Sequence, residues 1–193
     1  MSGSSAGSAR EYSAPPIVHR SAAPADRERI EAIDDSFTTD RIYEVVADGA
    51  GFALRERIVD PPLVKVFPDE GEDEDDGSGG TYVEVAVAGG EVCGFVEVGV
   101  EEWHSRLVVH RIAVAPAHRG RGVGAALMER ACAYGRRAGA RTAWLEVTNV
   151  NAPAVRAYRR MGFELCGLDT TFYRGTASEG ETALFMSRGL DTP

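Results

Sequence analysis

The chain has 193 residues, 44% of them hydrophobic and 26% charged, with a net charge of −9, which predicts one globular domain with a hydrophobic core. Three cysteines without a CxxC pair exclude a disulfide scaffold, and no apolar stretch is long enough to span a membrane. We therefore expect a soluble, cytoplasmic protein with no membrane partner, and its negative charge argues against nucleic acid as a partner.

Two segments are predicted to lie outside the folded core. Residues 1–16 are rich in Ser, Gly and Ala, and we expect them to form a flexible leader. The stretch 69–80 carries seven carboxylates between Asp69 and Asp76, so the rest of the chain is close to neutral, and it is predicted to be a disordered acidic loop. Its negative field would also attract a cationic substrate. Residues 17–190 are predicted to form a single domain.

The N-terminal half of that domain is predicted to begin with a helix. Pro24 suits a first helical position, and apolar residues at helical spacing continue to about Asp35. Residues 43–47 and 52–59 are predicted to be short strands on either side of an Asp-Gly turn. A Pro-Pro pair at 61–62 then opens a long connection that includes the acidic loop.

The C-terminal half has a more regular pattern. Three strands joined by short turns predict an antiparallel meander, followed by a helix, a strand, a second helix and two last strands. Because the strand after the first helix is almost wholly apolar, it is predicted to be central and parallel to the strand before that helix. This order indicates a mixed α/β domain. The predicted elements are 82–87, 92–100, 107–114, the helix 122–138, 142–148, the helix 153–162, 163–166 and 183–187.

A loop with three glycines joins the strand 107–114 to the following helix. Gly120, Gly122 and Gly124 allow main-chain N–H groups to approach a ligand closely. The first turn of a helix adds unpaired N–H groups and a partial positive charge. Together these features predict an anion site suited to a pyrophosphate.

Two common pyrophosphate motifs do not account for this loop. A Walker motif would need Lys-Ser or Lys-Thr after the glycines, and the sequence has neither there. The dinucleotide fingerprint fits as Gly120-x-Gly122-x-x-Ala125, with Glu146 near the position of its ribose-binding acid. However, residues 115–119 separate the strand from the first glycine of the pattern. The 68 residues that follow Ala125 are also too few to complete a doubly wound sheet.

Further motifs accompany the loop. Their order and spacing resemble the acetyl-CoA motif of the GNAT N-acetyltransferase superfamily: Arg119-x-x-Gly122-x-Gly124, then Asn151-x-x-Ala154-x-x-x-Tyr158, then Gly162-Phe163. Within that superfamily, longer blocks resemble the streptothricin (nourseothricin) acetyltransferases, over nearly the whole chain beyond the leader. These blocks are 35–40, 60–69, 144–154, 157–163, 166–169 and 175–178.

The resemblance implies a GNAT fold: a mixed, mostly antiparallel sheet with a central pair of parallel strands that splay apart, flanked by helices. It implies acetyl-CoA as co-substrate, without a metal, with the pantetheine arm between the splayed strands. Main-chain groups of Ile112, Ala113 and Val114 would contact the arm. The other implied cofactor contacts, with the arginines adding charge, are Arg119, Gly120, Arg121, Gly122, Val123, Gly124, Ala125, Asn149 and Asn151.

Two residues are candidates for catalysis. By the resemblance, Tyr158 contacts the cofactor beside the thioester sulfur and protonates the departing thiolate, for which a phenol is suited; its other interpretation is aromatic packing. His110 is a candidate base, since imidazole accepts protons at neutral pH. Strand alternation places His110 on one face with Val108 and Ile112, where it can also be merely packed. Streptothricin acetyltransferases usually have Glu-Asp-Ile where this chain has His-Arg-Ile at 110–112.

The implied reaction is acetylation of an amine in the β-lysine moiety of streptothricin, which removes a positive charge and confers resistance. A cleft for such a cationic small molecule should be acidic, although solubilising charge explains each candidate carboxylate equally well. These candidates are Asp35, Asp40, Glu101, Glu102 and Glu146. Two other functions stay open: acetylation of another cationic or protein amine, and non-catalytic binding of acyl-CoA. Exposed strand edges also favour a homodimer.

Overall fold

A computed structural model describes residues 15–67 and 81–190. The predicted leader 1–16, except for its last two residues, and the predicted acidic loop 69–80 lie outside the described residues. None of the helices in the described part of the chain has the length and apolar character that crossing a bilayer requires.

The elements follow one another in a mixed order of strands and helices. Short 3-10 turns at Pro24–Asp26, Glu102–His104 and Pro116–His118 lie between them. The helices are α1 (Arg27–Glu31), α2 (Val123–Arg137) and α3 (Ala152–Arg160). The strands are β1 (Ile17–Ser21), β2 (Phe37–Ala47), β3 (Phe52–Lys65), β4 (Tyr82–Ala88), β5 (Glu91–Glu101), β6 (Arg106–Val114), β7 (Thr142–Thr148), β8 (Glu164–Asp169) and β9 (Ala183–Gly189).

A seven-stranded sheet forms the centre of the domain. Its strand order is β1-β4-β5-β6-β7-β9-β8, and β2 with β3 forms a separate two-stranded hairpin. Neighbouring strands of the large sheet are antiparallel except β6 and β7, which are parallel. The predicted mixed sheet is therefore confirmed, as is the parallel pairing of the strands before and after α2. The crossover through α2 supplies the chain length that parallel pairing needs.

The helix α2 covers one face of this sheet. Its buried residues recur at intervals of three and four, which places them on one side of the helix, against β4, β5 and β6. Val96, Leu107 and Leu127 are fully buried in the resulting core. Gly135 allows a close approach, because a Cβ there would lie 2.9 Å from a Leu107 Cδ atom. The packing fixes α2 against β6, which leads into the glycine loop.

The N-terminal half differs from its predicted pattern. The predicted helix 24–35 is too long, because a 3-10 turn and the short α1 end at Glu31. β1 was not predicted; it pairs with β4 at the edge of the sheet. β2 begins at Phe37 rather than at residue 43, because its first residues pair with the end of β3.

The strand β3 continues through the Pro-Pro pair that was predicted to end it. The pairing with β2 passes from Ile58 to Leu63, and residues 59–62 lie opposite Asp40 without a regular partner. Proline cannot donate a ladder hydrogen bond, but none is needed in such an irregularity. The predicted end at residue 59 is therefore wrong, and the hairpin extends to Lys65.

Candidate active site

The parallel strands β6 and β7 separate part-way along their length. Among the described residues, they pair over 106–109 and 142–145 only. Residues 111–114 of β6 continue to pair with β5 on their other side. We call the resulting gap between β6 and the C-terminal end of β7 the fork. His110 on β6 and Glu146 on β7 are the first residues beyond the last parallel pair.

A β-bulge sets the position of His110 at the start of the fork. Glu97 of β5 pairs with Arg111 and Val98 pairs with Val109, so His110 is an extra residue on β6. Its imidazole lies over Gly99 of β5, with Nε2 2.7 Å from the position that a Cβ of Gly99 would take. The ring therefore leans toward β5, away from β7.

The bulge also changes which side chains share a face with His110. Val108 pairs with Gly99, so it lies on the face to which His110 turns, as predicted. Ile112 instead packs against the core on the α2 face. The extra residue shifts the alternation of the strand, and the predicted shared face of His110 and Ile112 is wrong for that reason.

The glycine loop ends in a row of unpaired main-chain donors. Within the described residues, no acceptor bonds to the N–H groups of residues 120–125. Gly120 and Gly122 have φ values of +73° and +82°, which a side chain would strain. Gly122 precedes the first turn of α2, where the helix dipole is positive. This arrangement is an anion site of the kind predicted from the sequence.

A cleft of about 370 Å³ lies between this loop and α3. Val114, at the end of β6, forms part of it, as do Ala157 and Arg160 of α3 and Met161 directly after that helix. Of the seven predicted cofactor residues between Arg119 and Ala125, six line the cleft, whereas Arg121 is exposed outside it. The lining residues of the loop are His118, Arg119, Gly120, Gly122, Val123, Gly124 and Ala125.

The side chain of Arg119 has a structural role in addition to the one expected from the sequence. Its guanidinium donates to the main-chain carbonyls of Val114 at 2.8 Å, Ser36 at 2.7 Å and Asp34 at 2.7 Å. These bonds tie the segment before β2 to the end of β6. Three of the five guanidinium N–H groups are engaged by these carbonyls, but the guanidinium keeps its positive charge and Arg119 lines the cleft, so the expectation that its side chain adds charge at a phosphate stays a prediction.

The two predicted asparagines have structural roles. Asn149 is buried; its Nδ2 donates to the Tyr43 carbonyl at 2.6 Å, and its Oδ1 accepts from the Thr182 N–H at 2.8 Å. Both ends of its amide thus hold β2 and the segment before β9 together, and the predicted cofactor contact of Asn149 stays a prediction. Asn151 is the N-cap of α3, where its Oδ1 accepts from the Ala154 N–H at 3.1 Å.

Tyr158 projects from α3, the helix that borders the cleft. Its ring lies 6.0 Å from that of Phe163, and the residue is half-buried. Burial, and then the charge of Glu146, raise the pKa of the Tyr158 phenol above its usual value. The phenol is therefore protonated at neutral pH, and it lies close enough to Glu146 to feel its charge.

Glu146 belongs to a hydrogen-bonded cluster that sequence reasoning missed. The Tyr173 hydroxyl, from the segment between β8 and β9, donates to the Glu146 carboxylate. Nearby, Glu181 accepts hydrogen bonds from Thr148 and Lys65. Tyr173 and Glu146 are 27 positions apart in the sequence, so no local pattern could have predicted this contact.

The other predicted acidic residues are not gathered at the fork. Glu101 pairs with Arg106 at the start of β6 and bonds His104 at 2.8 Å, and Glu102 is exposed in the adjacent turn. The start of β6 lies about 13 Å along the strand from the start of the fork. Glu101 and Glu102 therefore lie away from the start of the fork, and their place in the lining of an acceptor cleft stays a prediction.

Asp35 and Asp40 lie before and within β2, and both are exposed. Partial desolvation raises the pKa of Asp35, while the charges of Arg111 and Arg119 oppose the rise. Asp35 therefore lies near the bulge on β6 through its electrostatic contact with Arg111. Asp40 lies opposite residues 59–62 of the hairpin.

The parted parallel strands, the donor-rich loop and the cleft beside α3 form one arrangement. The model of the acetyltransferase (GNAT) family matches residues 52–163 of the chain. The chain belongs to the GNAT acetyltransferase family. Its sheet has the splayed central parallel pair that the resemblance implied, so the predicted fold is confirmed.

Two relatives resemble this acetyltransferase over nearly its whole length. A streptothricin acetyltransferase of Streptomyces lavendulae is 55% identical over 175 residues, which cover 87% of this chain and 92% of that one. A crystal structure of a nourseothricin acetyltransferase matches with a TM-score of 0.83 and 54% identity, covering 91% of this chain and 99% of that chain.

A more distant structure shares the fold. It is a protein of Bacillus anthracis in complex with acetyl coenzyme A, which matches with a TM-score of 0.76 over 90% of this chain and 99% of that one. The identity is 21%, so this likeness supports the architecture and not the roles of individual residues.

Proposed function

We propose that this acetyltransferase transfers the acetyl group of acetyl-CoA to an amine in the β-lysine moiety of streptothricin-class antibiotics. The observation that carries the proposal is the fork. At one end it has a row of N–H donors that no acceptor engages in the part of the chain that the structure describes, and at the other end it has the Glu146 carboxylate. The 55% identity to a streptothricin acetyltransferase over 92% of its length supports the acceptor class. Acetylation would remove one positive charge from the antibiotic and so confer resistance.

The residues of the cleft fit acetyl-CoA. The N–H groups of residues 120–125, with the N-terminus of α2, suit the pyrophosphate. Main-chain groups of Ile112, Ala113 and Val114 face a gap where β7 no longer pairs, and they suit the amides of the pantetheine arm. When bound, acetyl-CoA would supply a thioester whose carbonyl an amine attacks.

Two side chains near the start of the fork would move protons. An alkylamine arrives protonated, and Glu146 would accept that proton, since its carboxylate is held beyond the last parallel pair. We assign this role to Glu146 rather than His110 because the imidazole leans toward β5. Tyr158, whose raised pKa keeps its phenol protonated, would donate a proton to the departing sulfur.

The proposed enzyme would act in the cytoplasm. Cys93 and Cys132 are buried free thiols, and Cys166 is an exposed one. A reducing compartment keeps thiols in that state.

The proposed reaction is tested by measuring thiol release from acetyl-CoA with three acceptor conditions side by side: streptothricin, a lysine-containing peptide, and no acceptor. We expect thiol release that depends on streptothricin, together with a product heavier by one acetyl group in mass spectrometry. Equal release in all three conditions would contradict the assignment. Faster release with the peptide would instead indicate a protein amine as substrate.

A further inference from the structure

The segment between β8 and β9 brings a tyrosine to the start of the fork. Residues 170–182 form neither helix nor strand, yet Tyr173 within them is half-buried. Its hydroxyl donates to the carboxylate of Glu146, which lies one residue beyond the last parallel pair of β6 and β7. The contact therefore joins a loop to the site where the acceptor amine is proposed to react.

Both ends of this segment are held in place. At the start, Asp169 Oδ1 accepts from the N–H and the hydroxyl of Thr171, each at 2.7 Å. At the end, the Glu181 carboxylate bonds Thr148 of β7 and Lys65 of β3, and Lys65 also donates to Ser178 Oγ at 2.8 Å. Fixed in this way, the segment presents the Tyr173 hydroxyl to Glu146 from a defined direction.

Aromatic packing at the base of the segment restrains it further. Phe172 contacts both Tyr173 and Phe185 edge-on, with ring centroids 5.2 Å and 5.9 Å apart. Phe185 lies in β9 and pairs with Glu146 across the ladder. The ring of Tyr173 is thus positioned through Phe172 by β9, the strand that pairs with β7, which carries its hydrogen-bond acceptor.

The electrostatic surroundings keep Tyr173 a hydrogen-bond donor. Burial, and then the hydrogen bond and charge of Glu146, raise the pKa of the Tyr173 phenol, to which Glu181 adds a further negative charge. Tyr158 from α3 and Tyr173 from the segment both face Glu146, and Glu181 with its partner Lys65 lies behind Tyr173. Neither phenol ionises at neutral pH, so both leave the charge of Glu146 unchanged as pH varies around neutrality.

We propose that Tyr173 is a positioning residue whose hydroxyl holds the Glu146 carboxylate at the start of the fork, in its ionised form and facing the acceptor amine. This inference rests on the proposed function, in which Glu146 accepts the proton of the amine. A hydrogen bond donated to a carboxylate stabilises its charged form and so lowers its pKa. Loss of the Tyr173 hydroxyl therefore moves the Glu146 carboxyl toward its neutral form, which accepts no proton.

The test compares Tyr173→Phe with wild type in the full chain, using acetyl-CoA and streptothricin. We expect kcat to fall by about tenfold, with the KM for acetyl-CoA unchanged. The acidic limb of the kcat/KM profile should move upward by roughly one pH unit, the shift expected for one lost hydrogen bond to a charged group. Glu146→Gln should remove that limb altogether.

A matched control comes from another phenol that bonds a carboxylate. The Tyr82 hydroxyl donates to Glu84, a buried residue of β4 that also pairs with Arg130 and lies on the far side of β5 from the fork. Tyr82→Phe removes the same type of bond at a distance, so it should leave the pH profile unmoved. Circular dichroism and thermal unfolding of both variants show whether each is folded.

A second substitution keeps the test decisive if Tyr173→Phe does not fold. Placing 3-fluorotyrosine at position 173 preserves the shape and makes the phenol a stronger donor, so the acidic limb should move to lower pH. A wild-type profile for either variant would overturn the positioning role. A wild-type enzyme that does not acetylate streptothricin would instead overturn the proposed function, so the two failures are distinguishable.

Discussion

Asn149 provides a test of structural against cofactor-binding roles. Its side chain joins the Tyr43 carbonyl of β2 to the Thr182 N–H before β9, and its main chain bonds the same two residues. Replacement by alanine leaves the carbonyl and the N–H without their partners at a site that is 9% exposed. The substitution Asn149→Ala should therefore destabilise the fold rather than weaken the binding of acetyl-CoA.

The size of the effect follows from the two groups left unpaired. A buried polar group that loses its partner costs about 1–3 kcal/mol, so the unfolding free energy should fall by about 3 kcal/mol in total. For a chain of this length, that loss corresponds to a decrease in Tm of about 6–12 °C. If water reaches the two unpaired groups after the substitution, the loss of unfolding free energy moves toward the lower end of that range.

Thermal unfolding measures the stability of the variant, and calorimetric titration measures its affinity for acetyl-CoA, so together they distinguish a structural role of Asn149 from a cofactor-binding role. We expect Asn149→Ala to have a lowered Tm and, below that temperature, a Kd for acetyl-CoA equal to that of the wild type. Asn151→Ala is the comparison, since it removes a helix cap worth about 1 kcal/mol at the neighbouring asparagine. A Tm equal to that of the wild type, with weakened acetyl-CoA binding, would refute the structural role of Asn149.

Three further outcomes are expected. Tyr158→Phe should lower kcat on the order of a hundredfold with unchanged acetyl-CoA affinity, and unchanged turnover in a folded variant would remove its role as an acid. Gly122→Ala places a side chain at a φ of +82°, and calorimetry should show weaker binding of acetyl-CoA. The control is Gly49→Ala in the β2–β3 turn, where φ is +80°. It should lower the stability of the fold by a similar amount and leave acetyl-CoA binding intact. Hydrogen bonds from Arg20, and then from the Ala23 N–H, lower the pKa of Asp26 to about 2. Because the folded pKa lies below the unfolded one, this stabilisation is present above about pH 4 and is lost as pH falls toward about 2; urea unfolding of Asp26→Asn should lack that pH dependence.

The strand, glycine loop and helix around residues 107–137 could be predicted because their signals are local. Apolar alternation, three glycines and apolar residues at helical spacing each lie within one element. The nearly apolar composition of β7 likewise indicated a central strand before its neighbours were known. The cofactor end of the site depends on these local features, and the structure brings most of its predicted residues together.

Features that depend on residues far apart in the sequence could not be predicted from local patterns. Asn149 and Asn151 are the same residue type two positions apart, and their different roles follow from Tyr43, which lies opposite one of them. The bulge at His110 depends on how β5 pairs with β6, so strand alternation alone misplaced Ile112. The Pro-Pro pair in β3 is tolerated only because β2 leaves an irregularity opposite it.

The two ends of the fork favour opposite charges, and this difference determines which substrate is favoured at each end. At the end of β6, the N–H groups of residues 120–125, which no acceptor engages among the described residues, favour an anion, and the positively charged Arg119 side chain lines the same cleft. About 13 Å back along the strand, the fork begins beside the carboxylate of Glu146. A phosphate-bearing donor is thus favoured at one end and an ammonium-bearing acceptor at the other. The thioester and the amine would then meet between the two ends, next to Tyr158.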